Sequence, residues 1–262
     1  MDYALPPLFT IFLWWFSTGL ILLLVRLPRR TYGWSLAAMT FVAVFTLSLV
    51  TELRDTTTIA SAYLSFTAGI VLWGWLEMTF LTGMVTGPTQ PADAPRATGW
   101  RHVWHAVQAI LYHELSLILI GVVLLALTWH SANQLAFWTF FALWMLRLSA
   151  KLNVFLGVPS FSDSMLPAHL DHLRRYFTKA PMNLLFPLSV SIGTGAVALL
   201  LNAGLHTSTD AFATSGMLLL AAIVALGVIE HWFMVLKLPD AALWNWFLKT
   251  REPPAVTTGV SG

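Results

Sequence analysis

Seven separate runs of about 20 mostly apolar residues constrain this chain more than any other feature. A helix rising 1.5 Å per residue needs roughly 20 such residues to cross about 30 Å of hydrocarbon. The runs lie near residues 8–27, 34–51, 60–83, 104–128, 134–154, 182–203 and 215–237, and Arg147 and Lys151 interrupt the second half of the fifth. Composition agrees: 57% of the 262 residues are hydrophobic, only 10% are charged, and 13 are Trp. One soluble core of ordinary composition cannot absorb that much apolar surface. In lipid, backbone polar groups must be satisfied within the spanning segment. The expectation is therefore an all-α, polytopic membrane helix bundle, with residues 1–238 as one transmembrane domain. Residues 239–262 read as a cytoplasmic interfacial segment and tail, with Trp244 and Trp246 as interfacial anchors.

Cations set the expected orientation, because Lys and Arg in short loops stay on the cytoplasmic side. Arg26, Arg29 and Arg30 follow the first run. Arg96 and Arg101 follow the third, Arg174, Arg175 and Lys179 the fifth, and Lys237, Lys249 and Arg251 the seventh. The opposite loops hold only Arg54. This predicts a periplasmic N-terminus and a cytoplasmic C-terminus. The start, MDYALPP, lacks the positive region of a signal peptide, so the first run reads as a permanent span. The absence of cysteine excludes disulfides, thiolate metal sites and Fe–S clusters. No basic stretch interleaved with aromatics is present, so nucleic acid is not an expected partner.

Ionisable residues inside the runs are the candidate site, since a charge in lipid costs a few kcal/mol or more. They are Glu77, His113, Glu114, Arg147, Glu230 and His231. Counting from the expected span ends at 1.5 Å per residue gives depths of about 9 Å for Glu77, 14 Å for His113 and Glu114, and 10 Å for Arg147, Glu230 and His231. All six therefore fall in one polar layer toward the cytoplasmic side.

Besides a pigment, quinone or proton-handling site, two chemistries suit such a layer. In one, the charges neutralise each other: Arg147 pairs with Glu77 or Glu230, and His113 or His231 hydrogen-bonds the remaining carboxylate. In the other, Glu77, His113, Glu114, Glu230 and His231 hold a metal, or His113 and His231 bind a haem axially. The spacing suits metal poorly, because adjacent HE and EH residues diverge by about 100° around a helix. The structural network is the favoured reading. Elsewhere, SMLPAHLDHLRRYF reads as a short interfacial helix over 165–178 with His169 and His172 solvated. Glu52, Arg54 and Asp55 read as a local ion-pair cluster, and Lys151 as snorkelling to the interface.

Several stretches carry a resemblance: TELRDTTTIASAYLSFTAGIVLWGWLEMTFLTG, ILYHELSLI, WTFFALWMLRLSAKLNVFLGVPSF, LPAHLDHLRRYF and MNLLFPLS. They resemble the PuhE family, photosynthetic complex assembly protein 2, over roughly residues 50–235. The resemblance implies a multi-pass protein of the bacterial inner, intracytoplasmic membrane. The role it implies is in reaction-centre and light-harvesting complex biogenesis and in bacteriochlorophyll supply. Implied partners are reaction-centre or light-harvesting subunits, or pigment-biosynthesis enzymes. It implies no catalytic residue. The alternative is a membrane enzyme using iron, haem or a bacteriochlorophyll-type pigment on a hydrophobic substrate.

Overall fold

Seven helices long and apolar enough to cross a membrane make up the fold of the computed structural model, which describes residues 3–90, 97–160, 166–207 and 210–236. They are α1 (Leu5–Arg26), α2 (Tyr32–Leu53), α3 (Ile59–Leu81), α4 (Trp100–Thr128), α5 (Leu135–Leu156), α6 (Leu185–Asn202) and α7 (Ala211–Phe233). The all-α expectation holds, and no strand occurs among the described residues. Helix ends differ from the apolar runs by a few residues. α4 begins four residues earlier than its run, at Trp100, and α7 ends at Phe233. The expected tail and its Trp244 and Trp246 lie outside the described residues.

Local chemistry sets the boundaries. Thr58 and Ser61 form a reciprocal capping box at the start of α3. The Asp210 carboxylate accepts the Ala213 N–H at 2.8 Å and caps α7. Gly83 ends α3 with φ +79°, a left-handed conformation that side chains rarely adopt. Asn183 caps α6: its Oδ1 accepts the N–H groups of Leu185 and Phe186 at 2.9 and 3.0 Å.

Two helices form the centre. The apolar windows of α3 and α7 are 56% and 50% buried within the protein, against 11–28% for the others, whose outer faces are left to lipid. One core cluster joins α2, α3, α4 and α5 around Leu72, Leu117, Leu124 and Phe140. A second joins α1, α3, α5, α6 and α7 around Phe66, Leu219 and Ile223. With lipid tails as apolar as leucine, the packing advantage comes from close approach. A Cβ at Gly227 on α7 would stand 2.5 Å from Leu146 Cδ1 on α5, so glycine lets these two backbones meet.

The expected interfacial helix is a 3₁₀ helix, Ala168–Tyr176, docked against the ends of the spans rather than free on the surface. Its buried residues, Leu170, Leu173 and Tyr176, recur every third position, the period of a 3₁₀ turn. They pack with Phe80 and Ala109. His169 is not simply solvated, since its Nε2 lies 2.8 Å from the Leu81 carbonyl at the end of α3.

Candidate functional site: a divided polar layer

The layer divides into three contact groups. The first is centred on Glu77, buried on α3. Arg147 Nη2 on α5 lies 3.5 Å from Glu77 Oε2, and His113 Nε2 on α4 lies 3.7 Å from Glu77 Oε1. Arg147 thus takes the first of its two expected partners. His113 is fully buried against the Phe80 ring, 4.5 Å between centroids, and neither of its ring nitrogens makes a hydrogen bond among the described residues. Glu77 Oε1 lacks one too.

The chain just after α3 positions His113. Its backbone N–H donates to the Thr86 carbonyl at 3.0 Å, so the chain at Thr86 and Gly87 folds back onto α4. A Cβ on Gly87 would overlap the Gln108 carbonyl oxygen and lie 2.8 Å from the Ala109 carbonyl carbon. Glycine is what allows this backbone contact. Irregular backbone at this level is tolerated where protein covers it.

The second group centres on Glu114, also on α4. Lys151 Nζ donates to its Oε1 at 2.7 Å and Trp144 Nε1 to its Oε2 at 3.2 Å, both from α5. Lys151 also lies 5.5 Å from the centre of the Phe80 ring. This corrects the snorkelling expectation, because a carboxylate from the neighbouring helix holds the ammonium inside.

The third group gathers on α7 and separates neighbours in sequence. His231 turns inward: its Nδ1 lies 2.7 Å from the Gly227 carbonyl and its Nε2 2.9 Å from Ser149 Oγ. A carbonyl only accepts, so Nδ1 carries a proton. Ser149 continues to Ser189 Oγ at 2.9 Å, which accepts from Asn153 Nδ2 at 3.1 Å. Glu230 faces out of the bundle, and the Trp14 indole on α1 donates to its Oε1 at 3.0 Å.

The pairing of the "remaining carboxylates" with histidine therefore does not occur. His113 faces Glu77, already the partner of Arg147, while Glu114 takes Lys151 and Glu230 takes Trp14. The proposed metal ligands are likewise distributed: among the described residues no three His, Asp or Glu side chains converge as a metal's ligands would. His113 and His231 belong to separate contact groups. At the opposite end of the bundle, Arg54 and Asp55 pair at 3.3 Å on the surface.

Several partners escaped the sequence reading. Trp14 and Trp144, which resemble ordinary membrane aromatics in sequence, are carboxylate donors. Asn133 ties the far loops together, donating to the Leu53 and Thr56 carbonyls at 3.1 and 3.3 Å and to Ser65 Oγ at 2.8 Å. Asn183 bridges to the Asn153 and Gly157 carbonyls at 3.1 and 2.8 Å. An asparagine or serine flanked by apolar residues was the only available signal.

Fold and site together define a multi-pass, all-helical membrane protein whose membrane-level charges are matched largely between helices. The chain belongs to the family described as Protein of unknown function (DUF3623), whose profile matches residues 1–255. It is similar to an uncharacterized 30.4 kDa protein in the puhA 5′ region of Rhodobacter capsulatus. The two are 37% identical over 257 residues, covering 97% of this chain and 93% of the relative. No solved structure matches it.

Proposed function

We propose that this protein is a membrane assembly factor for the bacterial photosynthetic apparatus, acting on reaction-centre or light-harvesting subunits or on the enzymes that supply bacteriochlorophyll. The observation that carries this reading is the 37% identity, along almost the whole chain, to a protein of the puhA 5′ region. It agrees with the setting that the PuhE resemblance implies. The N-terminus is periplasmic and the C-terminus cytoplasmic in this reading, following the loop cations, and the membrane is the intracytoplasmic one.

The geometry favours a scaffold over a catalyst. Arg147 and Lys151 are taken up by carboxylates, and His231 is held by a serine and a carbonyl. Such a network fixes helix register.

A tagged copy expressed in cells that are assembling photosynthetic complexes tests the proposal. Purification in mild detergent is expected to retain reaction-centre or antenna polypeptides, and deletion of the gene is expected to lower the assembled complexes. Normal complex levels after deletion, with no retained subunit, would overturn it.

A further inference from the structure

Glu230 stands apart in the charge inventory of the layer. Three carboxylates, Glu77, Glu114 and Glu230, occur there with two full-time cations, Arg147 and Lys151. Arg147 contacts Glu77 and Lys151 contacts Glu114, so among the described residues one carboxylate is left without a cation in contact, and it is the one at the bundle surface. Glu230 lies within electrostatic reach of Arg147 and Glu77, but its hydrogen bond among the described residues comes from neutral Trp14.

The carboxylate is also held in place. Trp14 lies twelve residues before Arg26, about 18 Å along α1, so the indole that holds Glu230 sits within the apolar run of α1. Ile11, one turn before Trp14 on α1, and Ile229, next to Glu230 on α7, are exposed and apolar. An outward carboxylate in such surroundings calls for a cation beyond those of the described bundle.

We propose that the α1/α7 face around Glu230 docks a transmembrane helix of another protein, one carrying a lysine or arginine at the level of the Glu77 layer. Glu230 receives the cation and Trp14 keeps the carboxylate aimed at it. The inference narrows the partner class of the assembly reading and rests on it only for the partner's biological role.

The test uses the full-length protein in lipid bilayers with three labelled single-span, leucine-rich peptides. One carries a lysine at the layer's depth, one has leucine there, and one has the lysine moved two turns along the helix. Energy transfer from the protein reports association. The wild type is expected to bind the first peptide roughly tenfold tighter than the other two, the size that interhelical polar contacts reach. Glu230→Gln is expected to erase the preference. Equal binding of the three peptides by the wild type would overturn the proposal without requiring any variant to fold. So would a preference that survives in a folded Glu230→Gln protein. Self-association of the wild type that Glu230→Gln abolishes would also overturn it, assigning the face to a second copy. Failure here leaves co-purification with photosynthetic subunits unaffected, and the converse also holds.

Discussion

Lys151 on α5 donates to Glu114 on α4 across 2.7 Å, and Trp144, two turns earlier on α5, donates to the other oxygen of the same carboxylate. Two segments whose apolar patterns would let them rotate freely against each other are thereby locked in one register. Removing one ion of a buried pair strands the other and costs about 3–5 kcal/mol, whereas replacing both with apolar groups is often nearly neutral. Lys151→Met is therefore expected to lower stability by that amount, and Lys151→Met with Glu114→Leu to recover most of it. Thermal unfolding in detergent checks both.

Glu77 and His113 touch each other but carry unequal structural weight. Glu77→Leu strands the partly exposed Arg147, for an expected loss of about 1–3 kcal/mol after allowance for solvent and lipid headgroup access. His113→Leu removes a ring whose nitrogens make no hydrogen bond among the described residues, so it should cost less than about 1 kcal/mol. Chemical denaturation of the two variants gives the order, and equal losses would contradict the pairing described.

At Gly227 the prediction is steric. Gly227→Ala places a methyl 2.5 Å from Leu146 Cδ1 and should destabilise the α5/α7 contact by about 1–3 kcal/mol. Adding Leu146→Ala should restore part of the loss. Non-additive unfolding midpoints in the double variant are the readout.

Asn183 serves both as the cap of α6 and as a tie to the end of α5. Asn183→Ala is expected to cost about 1–2 kcal/mol, with the loss concentrated at the start of α6. Faster hydrogen exchange at Leu185 and Phe186, with α3 unchanged, would show it.

The 3₁₀ helix should loosen in acid. Burial holds the His172 imidazole below the usual histidine range, and nearby Arg175 acts in the same direction. Its Nε2 lacks a hydrogen bond among the described residues. A histidine kept neutral when folded binds its proton more readily when released. Its contribution is therefore complete above the unfolded value of about 6.5 and is lost as pH falls below it. Proteolysis between residues 166 and 180 should accelerate below about pH 6.5, and His172→Leu should flatten that dependence.

How far the sequence was legible varies with the element. All seven spans could be read, because a 20-residue apolar run has few alternatives in a protein. The six layer residues could be found, because a charge in such a run is conspicuous. Their partners could not. Glu230 and His231 are adjacent in sequence, yet about 100° of helical rotation sends one outward to Trp14 and the other inward to Ser149. Lys151, near the end of its apolar run, reads as a snorkelling residue until α4 is seen to bring Glu114 within 2.7 Å. The 3₁₀ segment could be located, but an amphipathic pattern does not distinguish a lipid surface from a protein surface beneath it.

By itself, then, the sequence determined that this chain is a seven-span helical membrane protein with an interior set of ionisable groups. Hydropathy and span length are local properties, summed along the chain and independent of which helix lies beside which. Tertiary structure alone decided which charge meets which and left Glu230 facing outward. Coulombic and hydrogen-bond partners depend on helix rotation and neighbour identity at the scale of an ångström, and close contacts such as Gly227 against Leu146 set both.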